Sequence, residues 1–324
     1  MEKNDPMICV LSGGVGAARF LRGLVREVDP KSVHAIVNTG DDTRLHGLHI
    51  SPDLDTITYT LAGAIDPERQ WGLRDESWNM LEALRRYEAL RPPASAAAST
   101  WFGLGDRDMA THLYRSTRLS EGATLSEVTS EITRAWGIDV HLVPMSDDRV
   151  ETSVDVEDDG ATRRISFQEY FVQRRHSVPV RHVEFVGADT AVAQGLDTIA
   201  SADTVIIAPS NPIVSIGPIR ALAGVDQTLS VHRANVVAIS PIIAGRTVKG
   251  PADRMMQELG FEASAVGVAR MYAPVCGTLV IDERDAHLEN QIVEEGVKCV
   301  VTDTMMDDID IARRLARTAL ECTQ

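Results

Sequence analysis

The chain is expected to be an α/β protein with a mainly parallel sheet, and three observations carry that expectation. Short β-branched runs alternate with longer amphipathic segments, the rhythm of βα units whose helices cover both faces of one sheet. A glycine-rich turn, Ser12-Gly13-Gly14-Val15-Gly16, directly follows the first run and opens a helical segment. One stretch breaks the rhythm: Val150 to Val156 and Arg163 to Phe167 alternate apolar and polar residues around Asp158-Asp159-Gly160, which is a hairpin signal. Together these predict a Rossmann-like, doubly wound core from residues 1–107 and 189–324. Residues 108–188 are then inserted as an α+β cap subdomain that contains the hairpin.

In chain order, Met7 to Leu11 reads as a buried strand, followed by a helix that turns Phe20, Leu21, Leu24 and Val28 to one face. Val33 to Val37 is the second strand. Asp53 stands in an N-cap position before Leu54, Ile57, Leu61 and Ile65. Asp75 to Leu90 reads as a helix closed by Arg91-Pro92-Pro93, and Ala94 to Thr100 as a loop. Thr124 and Glu127 form a capping box for a helix running to Trp136. After about Val180 the βα rhythm resumes, with strands at Val205–Ala208, Val236–Ile239, Leu279–Ile281 and Val300–Val301.

Composition narrows the function. The 324 residues are 44% hydrophobic and 24% charged, which is globular composition, with a formal net charge of −15. Such a charge excludes a general basic face for nucleic acid and disfavours an anionic membrane surface. A small anionic ligand would then need local cations, helix N-termini or a metal. No apolar run reaches the ~20 residues of a membrane span, and the start MEKNDPMICVLSG lacks the pattern of a secretory leader. Cys9, Cys276, Cys299 and Cys322 are scattered, so reduced thiols and a cytoplasmic location are expected.

Four constellations could carry chemistry. Gly13, Gly14 and Gly16 would let backbone N–H groups at a helix start approach a phosphate, although the spacing is neither GxGxxG nor that of a P-loop. The plainer alternative is a tight strand–helix turn. Asn38-Thr39-Gly40-Asp41-Asp42 and Ser51-Pro52-Asp53-Leu54-Asp55 gather carboxylates at the carboxyl end of the second strand, where a divalent cation would relieve their repulsion. Asp106 and Arg107 form a charged turn ahead of a helix with His112, a residue more readily explained as packed or on the surface. Ser210-Asn211-Pro212, then Ser215 and Gly217, form a rigid second loop suited to a nucleotide or anion, and Ser240 to Gly245 with Lys249 repeats the strand-then-loop form. No Ser/His/Asp or Cys/His nucleophile pattern occurs, so positioning and charge neutralisation fit better than covalent catalysis.

LSGGVGAARFLRGL, VNTGDD, ISPDLDT, WGLRDESWN, WFGLGDRDMATHL, PMSDD, APSNPIVSIGP and SPIIAGRTVKGPAD together resemble the CofD/FbiA family, over about four-fifths of the chain. These are 2-phospho-L-lactate or phosphoenolpyruvate transferases of coenzyme F420 biosynthesis. The resemblance implies a lactyl- or enolpyruvyl-diphosphoguanosine donor, the deazaflavin Fo as acceptor, release of GMP, a requirement for Mg2+ and a homodimer. It places the Fo contact at Asp55 and the metal at Asp41 and Asp55, with Asp53 beside them. Asp53 or Asp55 would take the hydroxyl proton. Gly103 stands where archaeal relatives carry a basic residue, and the WF-x-LGDRD form leans towards the actinobacterial branch and its enolpyruvyl donor. Two other readings are weighed: an NAD(P)-dependent oxidoreductase, and a non-catalytic nucleotide-sugar-binding regulator of the YvcK-like group.

Overall fold

The computed structural model describes residues 6–92 and 95–323. Residues 1–5, read above for a leader, lie outside it, as do Pro93 and Ala94 of the expected helix stop and loop. In chain order come β1 (Ile8–Ser12), α1 (Gly14–Leu24), β2 (Val33–Val37), a small hairpin of β3 (Thr43–Leu45) and β4 (Leu48–Ile50), α2 (Pro52–Leu61) and α3 (Asn79–Glu88). The chain continues through α4 (Asp108–Ser120), α5 (Leu125–Ala135), β5 (His141–Pro144), β6 (Glu151–Asp158), β7 (Ala161–Ser166), β8 (Val180–Val186), α6 (Leu196–Ser201) and β9 (Thr204–Ile207). Then follow α7 (Gly217–Ala221), α8 (Val225–Val231), β10 (Val236–Ile239), β11 (Ile242–Ile243), β12 (Arg246–Thr247), α9 (Ala252–Glu258) and α10 (Ala265–Tyr272). The last elements are β13 (Thr278–Asp282), α11 (Glu289–Glu294), β14 (Lys298–Thr302) and α12 (Ile309–Glu321).

Seven strands form the central sheet in the order β14-β13-β10-β9-β1-β2-β5, every pairing parallel. Alternate residues of each strand supply opposite core layers. Cys9, Leu11, Ile36, Val205, Ile207, Val236 and Ala238 enter one, while Val10, Ala35, Val37, Ile206, Val237 and Ile239 enter the other. Both faces are thus buried under helices, which explains why the strands read as continuous β-branched runs. From β1 the chain first winds outward through β2 to β5, then returns to β9 and winds the other way. The strand order therefore reverses between β1 and β9, and in an open parallel sheet the ligand crevice lies at the carboxyl edge of that point.

Several boundaries differ from the sequence expectation. β5 pairs parallel with β2, and α5 packs on it, so the expected insertion of residues 108–188 begins later than residue 108. Only β6, β7 and β8 form the separate antiparallel sheet, β6 lying between the other two. β5 escaped notice because it is a four-residue edge strand ending in Pro144. α3 starts at Asn79 rather than Asp75, because Asp75 takes a left-handed φ of +56° and breaks the helix path. α1 ends at Leu24, leaving Val28 beyond it but still against the core. The capping box at Thr124 and Glu127 is present in full.

Candidate active site

Loops after β1, β2, β9 and β10 converge at the switch point around a cleft of about 750 Å3. Gly14 adopts a left-handed φ of +67° that turns the chain from β1 into α1. A Cβ on Gly16 would lie 2.0 Å from the carbonyl oxygen of Pro209, so only glycine lets the two loops touch. Ser210 Oγ donates to the Gly13 carbonyl at 2.8 Å, and Asn211 Oδ1 accepts the backbone N–H of Ile213 at 2.9 Å. The two expected anion loops are therefore one rigid floor. Stacked Phe167 and Phe171, with centroids 5.6 Å apart, bring the antiparallel subdomain up as a wall.

Asp41 and Asp53 stand on this floor with few partners. Asp53 is not the N-cap of α2. Ser51 holds that position, and Asp53 lies in the first turn behind Pro52. Its Oδ2 accepts from Asn38 Nδ2 at 3.0 Å, and Asn38 is in turn fixed through its Oδ1 by the N–H of Gly40 at 2.9 Å. Burial pushes the Asp53 carboxyl up to about 7, against the Asn38 hydrogen bond and with help from the nearby Asp42 charge. Burial and the charges of Asp53 and Asp42 push Asp41 well above the usual carboxylate range as well. Asp41 Oδ1 is buried with no hydrogen-bond partner.

Asp55, two residues on, is held quite differently. Both of its oxygens accept from the guanidinium of Arg115 on α4, one of them at 3.1 Å from Nη1. Burial works against the charge of Arg115, and Asp55 more than restores it, so the guanidinium is held above its ordinary value. Nη1 also lies 3.4 Å from His112 Nδ1. A guanidinium can only donate, so Nδ1 accepts, and the other ring nitrogen, Nε2, lies 3.2 Å from Asp108 Oδ2 without a hydrogen bond to it. Tyr59 completes the array, its hydroxyl donating to Asp108 Oδ1 at 2.6 Å. Burial opposes ionisation of Asp108, but His112, Tyr59 and the field of Arg115 outweigh it and hold the carboxyl below its ordinary value.

Of the residues expected from sequence, Gly13, Gly14, Gly16, Asp41, Asp53, Asp55, Ser210, Asn211 and Ser215 line the cleft. Asn38 acts behind it by fixing Asp53. Asp106 and Arg107 do not reach the cleft. Asp106 accepts the N–H groups of Asn79 and Met80, at 2.9 and 3.0 Å, and so caps α3 from outside, while Arg107 Nη1 donates to the Arg74 carbonyl at 2.9 Å. Gly217 is a packing glycine, since a Cβ there would meet Phe185 Cζ at 2.8 Å. His112, expected to be packed or on the surface, is buried in the Asp55 array. Arg19 lines the cleft unforeseen, because the reading of α1 followed only its apolar face.

The model of the family described as 2-phospho-L-lactate transferase CofD matches residues 8–319. The chain belongs to the CofD family. It is 44% identical over 318 residues to a phosphoenolpyruvate transferase of Kitasatospora aureofaciens, covering 97% of this chain and 96% of that one. With a phosphoenolpyruvate transferase of Mycolicibacterium smegmatis it shares 42% over 327 residues, 97% of this chain and 98% of the other. A crystal structure of a Bacillus halodurans protein of the UPF0052 family superposes with a TM-score of 0.59 at 15% identity, covering 98% of this chain and 99% of that one. That likeness is one of fold. In this CofD-family transferase Asp41, Asp53 and Asp55 all line the same cleft.

The donor set suits a hard divalent cation in part. Two buried, under-partnered carboxylates and the orphaned Asp41 Oδ1 fit an oxygen-seeking ion. Among the described residues no group of three or more His, Cys, Asp or Glu side chains is arranged to hold a metal. The remaining ligands would be water and substrate oxygens, the usual habit of Mg2+. Asp55, expected as a ligand, has both oxygens bonded to Arg115 and lines the cleft beside Asp53. Among the described residues no helix is long and apolar enough to cross a membrane.

Proposed function

We propose that this transferase moves a phosphoenolpyruvyl or phospholactyl group from a guanosine-diphosphate-linked donor to the ribityl hydroxyl of the deazaflavin Fo, giving dehydro-F420-0 or F420-0 and GMP. The observation that carries the reading is the pairing of Asp41 and Asp53 above the glycine floor at the β1/β9 switch point, inside a cleft roomy enough for a nucleotide and a flat heterocycle. The relatives named as phosphoenolpyruvate transferases support the enolpyruvyl donor.

In this reading the acceptor oxygen attacks the phosphorus that bears the organic acid, and the bond from that phosphorus to the bridging oxygen breaks. GMP departs with the bridging oxygen. The N–H groups around Gly13 to Gly16 orient the diphosphate, and the rigid Ser210–Asn211 loop keeps them aimed. Mg2+ held by Asp41 would neutralise charge on the diphosphate. Asp53 accepts the hydroxyl proton: it is a buried carboxylate in the cleft with a single side-chain donor, Asn38, and so has an oxygen left for the acceptor. Asp55, pinned by Arg115, offers its wall position to the acceptor.

The test is to incubate the protein with Fo, Mg2+ and each donor, then weigh the deazaflavin product. Transfer with release of GMP, stopped by a chelator, is the expected result. Binding of NAD(P)H without GDP would replace the reading with a dehydrogenase. Tight sugar-nucleotide binding with no Fo turnover would replace it with a regulator.

A further inference from the structure

Across the mouth of the cleft one cation ties together two loops far apart in sequence. Lys249, two residues beyond β12, donates from Nζ to the Arg69 carbonyl at 2.9 Å and to Gln70 Oε1 at 3.3 Å. Both loops line the cleft, as does Arg19 on α1. The two acceptors of Lys249 are neutral. Among the described residues neither Lys249 nor Arg19 has a carboxylate within 4.0 Å. Both cations line the same cleft, and partial burial, with the charge of Arg19 second, lowers the Lys249 ammonium from its ordinary value.

The loop that Lys249 grips carries an aromatic marker. Gln70 sits at a left-handed φ of +63°. Trp71 is 40% exposed at the mouth and packs on Gly103, where a Cβ would lie 2.9 Å from Trp71 Cη2. The Arg69 guanidinium lies over Trp71 at 5.4 Å and Trp78 at 4.9 Å. A carbonyl and an amide oxygen hold an ammonium less firmly than phosphate oxygens do, because the anion adds a direct charge–charge attraction that neutral acceptors lack.

We infer that Lys249 is a ligand-released latch: a phosphate-type anion bound between Arg19 and Lys249 takes the ammonium from Arg69 and Gln70 and frees the 69–72 loop with Trp71. This deepens the proposed function and rests on it only in supposing that the natural anion is the donor's diphosphate. The latch makes the mouth of the cleft sense the charged part of the ligand, and so couples donor binding to access for the second substrate.

Inorganic pyrophosphate at constant ionic strength is the probe, and tryptophan emission the readout. Pyrophosphate should shift the emission of the wild-type chain, and Trp71→Phe should remove most of that shift. Lys249→Met should show the shifted emission without ligand and bind pyrophosphate about tenfold more weakly, as loss of one charged contact predicts. Lys249→Arg should restore both. Lys249 is exposed, so the variants should match the wild type by circular dichroism. Wild-type emission in Lys249→Met, with an unchanged pyrophosphate response, overturns the latch. A working latch in a chain that does not turn over Fo overturns the proposed function instead, and turnover with Trp71 deaf to pyrophosphate overturns the latch alone.

Discussion

Asp53 and Asp55 leave the same turn of α2 two residues apart, yet their surroundings are opposite. Asp53 faces Asp41 across the glycine floor with one side-chain donor, and ionises reluctantly. Asp55 faces α4, where Arg115 bonds it and reaches His112, while Asp108, bonded by Tyr59, lies 3.2 Å from the other ring nitrogen of His112. The contrast teaches that acidity in this cleft is divided by function. One carboxylate pair is left short of partners so that a proton or a cation can complete it, while the other is completed by the protein and serves as fixed structure. A buried charge is tolerable only when paired, so the unpaired set is where chemistry is to be sought.

The largest effect comes from breaking the completed side. Arg115→Ala leaves Asp55 a buried anion without its counter-charge, and removing one partner of a buried pair costs about 3–5 kcal/mol. Urea unfolding should show that loss, with Arg115→Lys recovering part of it. A cost under about 1 kcal/mol would mean that Asp55 is solvated and that the division above is wrong.

Next in size is the pH dependence of the under-partnered side. Asp53 ionises near 7 in the folded chain against an ordinary 3.8, so the native state binds the extra proton between those values. Stability of the metal-free protein should therefore fall as pH rises from about 4 to about 7, by on the order of a few kcal/mol, and Asp41 adds in the same direction. Asp53→Asn should flatten that slope and raise the neutral-pH melting temperature, while lowering transfer about 100-fold or more as the proton acceptor is lost. Millimolar Mg2+ should flatten the slope in the wild type. A variant that melts lower at neutral pH and keeps its activity would remove Asp53 from the role given it.

The floor of the site was legible because glycines and strand ends leave plain marks. Gly13 to Gly16 must follow a buried strand, and short continuous β-branched runs placed β1, β2, β9 and β10 within a residue or two. The wall was not legible. Asp108, His112 and Arg115 recur at helical spacing on the buried face of α4, but a periodicity read from apolar residues takes a polar stripe for a solvated one. Asp106 and Arg107 were misread for a related reason: a charged turn next to a motif looks like a site, whereas its carboxylate supplies the cap that α3 lacks in its own sequence.

The smallest effect separates the two regions most cleanly. Tyr59→Phe removes one hydroxyl from the buried end of the array and takes from Asp108 the hydrogen bond that Tyr59 donates. A hydrogen bond to a charged group contributes about 1.5–3 kcal/mol, so the variant should lose an amount at the lower end of that range. Asp108 is held below its ordinary value, so its contribution is present above about pH 4 and disappears as pH falls through its folded value. The deficit of Tyr59→Phe should accordingly be full at neutral pH and shrink on acidification, opposite in sign to the slope that Asp53 imposes. Melting curves across pH 3 to 8 for the two single variants and their double variant would decide the matter. Additive deficits mean that the two acidic regions titrate as separate units. Coupling above about 0.5 kcal/mol means that the first turn of α2 transmits charge between them.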